Sequence, residues 1–557
     1  MTQTETRADV VGEERRWQGH GGLLAAKTLA ASGVDTMFTL SGGHLFSLYD
    51  GCVQEKIRLV DVRHEQTAVF AAEAWAKVTR RPGIAALTAG PGITNGVSAI
   101  TTAHFAGAPL LVLGGRAPQA RWGQGSLQEL DHVPILASVT KRAETCTATG
   151  DIPSRVASGL ISACTSHRGP AFLDLPLDIA FGMAETEPIR LALGELVGPE
   201  PEPADLRRIG ELLARAERPL LVAGGDVYWE GAEGELQALA EAAEVPVSMN
   251  GLGRGTLPAD HAAAFSRARS LATREADLVL VVGTPLDFRL AFGRFSAPVV
   301  HVMDRPERLA THVPLAASAA GDLRRALTGI LEACVANGTT GRRRAWLERL
   351  RGEEAERRRG EEAQLASAAT PIHPARIYGE LRRRLDRNAI VIGDGGDFVS
   401  YAGKLVDTYT PGCFLDPGPY GCLGTGPGYA LGAKLAHPDR QVVLLLGDGA
   451  AGFALGDLDT LARFGLAVTV IVGNNRCWGL EKHPMQQLYG YHVAAELSGR
   501  ARYDLVAGAL GGAGEIVEEA GALGPALDRA LAYRQGPYVV NVLTDPDDQY
   551  PRSSNLA

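Results

Sequence analysis

The chain of 557 residues carries a formal net charge of −9, with 45% hydrophobic and 21% charged residues. That leaves room for three domains of ordinary size, each burying its own core, and the acidic balance offers no basic face of the kind nucleic-acid binding uses. Seven scattered cysteines without a CxxC or a zinc spacing read as reduced thiols in a cytoplasmic protein, and no apolar run is long enough to span a bilayer.

Residues 1–20 are polar and charged, without an apolar h-region, and read as a loose arm rather than a signal peptide. From 21 to 187, short apolar runs alternate with Ala-rich helical stretches. The predicted strands are Met37–Leu40, Ile84–Thr88, Leu110–Gly114 and Ala171–Leu175, and their βα alternation implies a doubly wound parallel sheet. Ser41, Gly42, Gly43 and His44 form the turn after the first strand. Glu65 is placed at a strand end, before an Ala-rich helix over Thr67–Lys77. A Pro/Glu-rich linker, Gly198–Pro203, separates this domain from a middle one spanning 204–337. The middle strands are Pro219–Ala223, Leu278–Val282 and Val299–Val302, ending in turns at Gly224-Gly225-Asp226, Gly283-Thr284 and Asp304. The charged stretch Arg342–Glu362 predicts a helical link with a solvated face.

The third domain covers 372–544, with 545–557 as a polar tail. It opens with a strand running into Gly395, Gly396, Asp397 and Phe398, a glycine turn before a helix that suits a diphosphate. Gly421–Gly428 is a weak dinucleotide fingerprint with no acidic residue to complete it. The most informative stretch follows. Two apolar runs, Gln441–Gly447 and Leu466–Gly473, flank a segment of helical spacing over Gly456–Phe464, which is a βαβ unit. Its strands therefore deliver Asp448 and Asn475 to one sheet edge, where ligands of open α/β sheets bind. A carboxylate, an amide oxygen and a carbonyl near Cys477 are hard ligands suited to Mg²⁺ together with phosphate oxygens. Gly447, Gly449 and Ala450 leave backbone N–H groups free to approach a diphosphate.

Gly447-Asp448-Gly449, followed twenty-seven positions after Asp448 by Asn475, resembles the thiamine diphosphate (ThDP) enzymes. So do Leu59–Gln66 and Leu87–Gly96 upstream, the latter containing Pro91 and Asn95. The resemblance covers nearly all of the chain after about residue 20. It implies three α/β doubly wound domains: pyrimidine-binding, middle and diphosphate-binding. It further implies ThDP as cofactor and Mg²⁺ held by Asp448, Asn475 and the Cys477 carbonyl. Glu65 is implied to hydrogen-bond the aminopyrimidine ring so that thiazolium C2 loses its proton. Gly395, Gly396, Asp397, Phe398, Gly421 and Leu423 are implied to line the cofactor, with sites formed across a homodimer or homotetramer. The middle-domain turns resemble the places where relatives hold FAD or the ADP part of coenzyme A.

The branch of the family is read from four features. Glu481-Lys482 after Asn475 resembles pyruvate decarboxylases, whose glutamate handles protons near C2, and acetolactate synthases lack it. Gly125–Glu129 resembles a loop of acetolactate synthases and 2-hydroxyacyl-CoA lyases, with Leu127 in place of an aromatic and Gln128 facing substrate. Arg267, Arg269 and Arg289, with Asp304, are substrate or coenzyme A candidates. The ending with Arg552 resembles acyl-CoA enzymes, where the tail folds over coenzyme A. These imply a lyase splitting a 2-hydroxyacyl-CoA into formyl-CoA and an aldehyde or ketone, with Glu481 and His44 as proton carriers. Acetolactate synthase is the alternative, followed by a 2-keto acid or oxalyl-CoA-type decarboxylase. Retention of Glu65, Asp448 and Asn475 argues against a non-catalytic subunit.

Overall fold

In a computed structural model of the protein, residues 16–195, 198–338 and 343–550 are described. Three parallel sheets form, one per domain. The first has the spatial order Arg58–Asp61, Thr36–Thr39, Gly83–Leu87, Leu110–Arg116, Pro170–Pro176 and Arg142–Thr145. The third has Phe414–Leu415, Ile390–Asp394, Val442–Gly447, Val468–Asn474, Pro537–Leu543 and Ala513–Val517. Numbered by sequence within each domain, both run 2-1-3-4-6-5. The middle sheet runs 2-1-3-4-5 through Val247–Met249, Pro219–Ala223, Leu278–Val282, Val299–Met303 and Ala317–Ala320. In all three, the chain reverses direction between its first and third strands, and the crevice at that switch point is where such sheets bind ligands.

The central strands are apolar on both faces, as a sheet covered by helices on both sides demands. The edge strands Arg58–Asp61 and Arg142–Thr145 are polar and partly exposed. The end of the N-terminal arm, Trp17–His20, forms a strand antiparallel to Met183–Thr186, so it closes the first domain.

The first and third domains share one core. Helix Glu65–Thr79 packs on helix Thr425–Ala436, and a Cβ at Gly432 would fall 2.1 Å from the Ala71 carbonyl oxygen. Only a glycine there lets the backbones approach so closely. Inside this contact Lys77 Nζ donates to the Tyr429 hydroxyl at 2.9 Å, which donates to Glu73 Oε2 at 2.9 Å. Burial raises the Glu73 carboxyl, and the neighbouring Lys77 ammonium opposes that shift. A second tie is Asp457, which accepts from the Arg63 amide at 2.8 Å, the Thr67 hydroxyl at 2.6 Å and the Thr460 hydroxyl at 2.9 Å.

The connecting helix, Arg344–Leu365, corrects the expectation of a merely solvated link. Trp346, Leu347 and Leu350 pack on the middle domain and Leu365 on the third. Arg343, buried, donates to the carbonyls of Leu213, Ala216 and Ala243, which lie at the ends of two helices and need such donors. Glu361 is buried against Arg267, Arg382 and Lys404. Alternating charge along this helix therefore serves ion pairing as well as solvation.

Asp457→Ala strands the Arg63 amide and the Thr67 hydroxyl in a buried contact. The expected loss is about 2–6 kcal/mol, from roughly 1–3 kcal/mol for each of the two orphaned groups, visible as a lowered midpoint in chemical denaturation with the slope unchanged.

Candidate active site

The third domain builds one half of the site. Strands Val442–Gly447 and Val468–Asn474 are parallel neighbours with Gly447 opposite Gly473, so Asp448 and Asn475 emerge side by side. Asp448 is buried and accepts from the Gly449 amide at 3.0 Å and the Arg476 amide at 2.7 Å. Burial nevertheless pushes its carboxyl up to about 6, and a divalent cation beside it would reverse that shift. Of the paired asparagines, Asn474 is spent on Asn541 at 3.1 Å. Asn475 Oδ1 accepts from the Cys477 amide at 3.2 Å and stays at the edge. Cys477 faces Glu496 in an isolated bridge whose hydrogen bonds use the Arg476 carbonyl and the Trp478 amide, so the Cys477 carbonyl is left outside it.

Two glycines of the cradle, Gly395 and Gly449, leave no room for a side chain. A Cβ at Gly395, whose φ is +90°, would lie 2.7 Å from Ala450 Cβ. One at Gly449 would lie 2.4 Å from the Trp478 ring. Asp397 sits beside Gly479, 2.5 Å from where its Cβ would be. Asp394, which the sequence reading did not single out, is fully buried and accepts from the Gly424 amide at 3.3 Å and the Gly426 amide at 2.8 Å. It thereby anchors the Gly421–Leu423 turn, and burial pushes its carboxyl up to about 7. Its position one residue before Gly395 was the available signal. Phe398 corrects the sequence expectation. Its ring is buried against Gly473, and its carbonyl accepts from the Tyr378 hydroxyl at 2.6 Å, so it belongs to the core.

The first domain builds the other half. Glu65 is the first residue of helix Glu65–Thr79, four residues past the strand end, and not on the strand as the sequence implied. The turn Val62–His64 intervenes, with His64 Nδ1 capping the Gln66 amide at 3.2 Å. Glu65 is only 7% exposed, and Asn95 Nδ2 donates to its Oε2 at 3.0 Å. Its Oε1 looks toward Gly92, next to Pro91 at the N-terminus of helix Pro91–Phe105.

Beneath this turn runs a buried relay. The Gly90 amide donates to His132 Nε2 at 3.0 Å, His132 Nδ1 meets both Asp174 oxygens at 3.1 Å, and Arg116 pairs with Asp174 at 2.7 Å. Because Nε2 accepts, the ring proton sits on Nδ1 toward Asp174. The relay fixes Gly90, at φ +60°, against Gln128, itself at φ +59°. Leu127 beside it is 78% exposed. His44 Nδ1 lies 3.3 Å from the Thr88 hydroxyl, and burial, then His132, lowers its pKa.

A cavity of about 1280 Å³ extends from the glycine cradle into the middle domain. Gly395, Gly396, Leu423, Trp478, Glu481 and five arginines line it, and no described residue of the first domain does. Arg267 is committed to Asp407 at 2.7 Å and Glu361 at 3.3 Å, and Arg289 to Asp287 at 2.6 Å. Arg269 and the newly found Arg254 have no carboxylate partner among the described residues. Arg269 Nη2 donates to the Arg289 carbonyl at 3.2 Å, and Arg254 Nη1 to the Gly403 carbonyl at 2.5 Å. Burial, then Arg254 and Arg289, holds Arg269 down at about 10, as expected of cations waiting for an anion. Glu481 stands in the first turn of helix Gly479–Tyr489, its carboxyl raised by burial. Asp304 lies outside this cavity, against His167 at 3.1 Å. Arg552 lies outside the described residues. In the middle domain the Gly224 and Thr284 turns pack directly on each other, at 2.2 Å from a Gly224 Cβ.

A glycine cradle, an edge carboxylate and amide, and a buried acid on a separate domain define a three-domain α/β enzyme that holds a diphosphate cofactor. The sequence matches the thiamine pyrophosphate enzyme N-terminal binding domain over residues 20–135, the central domain over 206–330 and the C-terminal binding domain over 394–542. It is 54% identical to the acetolactate synthase large subunit IlvG of Mycobacterium tuberculosis over 97% of this chain and 98% of that one. It is 32% identical to 2-hydroxyacyl-CoA lyase 2 of Caenorhabditis elegans, over 95% and 90% of the two chains, and 34% to the human protein of that name, over 86% and 82%. The chain belongs to the thiamine diphosphate-dependent enzymes.

Asp448→Ala is expected to lower ThDP affinity by at least about ten- to a hundredfold, the range seen when a group supporting a metal is lost. Calorimetry with Mg²⁺ checks this, and the wild-type protein treated with a chelator should show the same loss.

Proposed function

We propose that the protein is a carboligase of the acetolactate synthase type, which removes CO₂ from one 2-keto acid and joins the remaining acyl unit to a second. The observation that carries this reading is the 54% identity to the M. tuberculosis synthase subunit, end to end in both chains. It displaces the lyase drawn from Glu481, Leu127 and the tail, whose relatives share 29–34%. The arginine-lined cavity supports it, since Arg254 and Arg269 suit carboxylate or phosphate groups.

ThDP, when bound, supplies a carbanion at thiazolium C2. This chain's residues then have separable tasks. Asp448, Asn475 and the Cys477 carbonyl hold Mg²⁺. The Gly395–Gly396 and Gly447–Ala450 turns offer N–H groups to the diphosphate. Glu65, kept dry by its burial and oriented by Asn95, would hydrogen-bond the aminopyrimidine ring. Leu423, Trp478 and Leu480 exclude water. Gln128 and a neutral His44 hydrogen-bond the acyl oxygen and hydroxyl groups of the substrate.

In this reading the working unit is a homodimer or homotetramer with each site shared by two chains. Mixing equal amounts of Glu65→Gln and Asp448→Ala proteins should restore about a quarter of wild-type activity. Half of randomly paired dimers are mixed, and each of these has one intact site. No recovery despite subunit exchange would place both halves in one chain.

A second reading, cleavage of a 2-hydroxyacyl-CoA, rests on Glu481, whose raised carboxyl on the cavity wall suits a general base. The two readings differ in outcome. In a synthase, pyruvate yields acetolactate and Glu481→Gln changes that rate only severalfold. In a lyase, pyruvate is inert and Glu481→Gln slows formyl-CoA release by roughly 10²–10⁴. Mass spectrometry of small molecules released from the native protein adds an independent check: FAD accompanies the first reading, and ADP or coenzyme A the second.

A further inference from the structure

The first, middle and third domains meet at a smaller cavity of about 70 Å³. His167 reaches it from the loop after helix Ile152–Cys164. Asp226 lies on the short helix after strand Pro219–Ala223, and Asp304 directly follows strand Val299–Met303. His167 Nδ1 stands 3.1 and 3.2 Å from the two Asp304 oxygens and 3.5 Å from Asp226 Oδ1. One donor atom from each of the three residues can be chosen so that all lie within 4.8 Å of one another.

This cluster is buried. The Asp304 and Asp226 side chains are 2% and 8% exposed. The second oxygen of Asp226, Oδ2, has no hydrogen-bond partner. The surrounding cations do not cancel the charge. Arg168 is committed to Glu230 at 2.7 Å, and Arg305 donates to the Ser166 carbonyl. Arg308 lines the cavity without an ion pair among the described residues. Burial, followed by the like charge of Asp304, raises the Asp226 carboxyl. Burial works against a charged His167, but the two carboxylates outweigh it and raise that imidazole as well. Two carboxylates facing each other away from water with an orphaned oxygen need a cation closer than any arginine here stands.

We propose that His167 Nδ1, Asp226 and Asp304 form a binding site for a divalent transition-metal ion such as Zn²⁺ or Mn²⁺, which joins the first domain to the middle one. A mixed imidazole and carboxylate set suits these ions, whereas Mg²⁺ and Ca²⁺ take all-oxygen shells like that at Asp448. Metal entry displaces the proton shared between His167 Nδ1 and Asp304, and that proton goes to solvent. The ion neutralises both carboxylates and ties a first-domain loop to two strand ends of the middle sheet.

The test uses the intact protein, stripped with a chelator and then saturated with ThDP and Mg²⁺ so that the Asp448 site is filled. Titration with Co²⁺ should add one equivalent per chain, with visible d–d absorption and hyperfine coupling to a single histidine nitrogen. Zn²⁺ should bleach that absorption and raise the thermal midpoint. His167→Gln and Asp226→Asn should each lose the equivalent and the Zn²⁺-dependent shift. Uptake of no Co²⁺ by the wild-type protein overturns the proposal and leaves a shared proton as what neutralises the pair. Bound Co²⁺ without histidine coupling overturns it too, and both results are independent of whether the variants fold.

Discussion

A parallel sheet delivers its functional groups at one edge only, because every strand ends there and every crossover helix begins there. In this chain each of the three sheets obeys that constraint. Glu65 and the Thr88–Pro91 turn sit at the edge of the first sheet, Asp226 and Asp304 at that of the second, and Asp448 and Asn475 at that of the third. The chemistry divides accordingly. The first domain brings a buried acid at Glu65, and the third a carboxylate at Asp448 beside a run of glycines. The middle domain contributes guanidinium groups from the side, through a cavity it shares with the third domain.

Charge burial is the second organising force. Asp394, Asp448 and Asp457 all belong to the third domain, and burial raises all three. They are held in different ways. Asp394 receives two backbone amides from the turn it anchors, and Asp457 receives an amide and a hydroxyl across the domain boundary and a second hydroxyl from its own domain. Asp448 receives two amides and still faces the cradle. Its remaining coordination capacity is what separates a ligand-binding carboxylate from two scaffold ones.

Much of this was legible in the residues. Strands Pro219–Ala223 and Leu278–Val282 coincide with their apolar runs, because buried central strands have nothing polar to blur the signal. The edge strands Arg142–Thr145 and Ala513–Val517 carry too many polar residues to stand out. Glu65 was recognisable from its local motif, but its place on a helix depended on the Val62–His64 turn. That Asp448 and Asn475 emerge at neighbouring strand ends was legible because the separation between adjacent strand ends is encoded in sequence distance. His132, Asp174, Arg254 and Asp394 act on partners fixed only by the fold, and spacing carries no trace of such contacts. Phe398 was misplaced for the same reason: only the tertiary structure shows that Gly473 opens a pocket for its ring.

The glycine-flattened contact between helices Glu65–Thr79 and Thr425–Ala436 has a consequence for biosynthesis. The first helix leaves the ribosome about 350 residues before its partner is made. At roughly 5–20 residues per second, its apolar face, including Phe70 and Ala71, waits on the order of twenty seconds to a minute for Gly428 and Gly432 to arrive. The middle domain, with a core of its own, is translated and able to fold within that interval. Chain order and assembly order therefore differ: the central module can mature before the two outer ones complete the core they share.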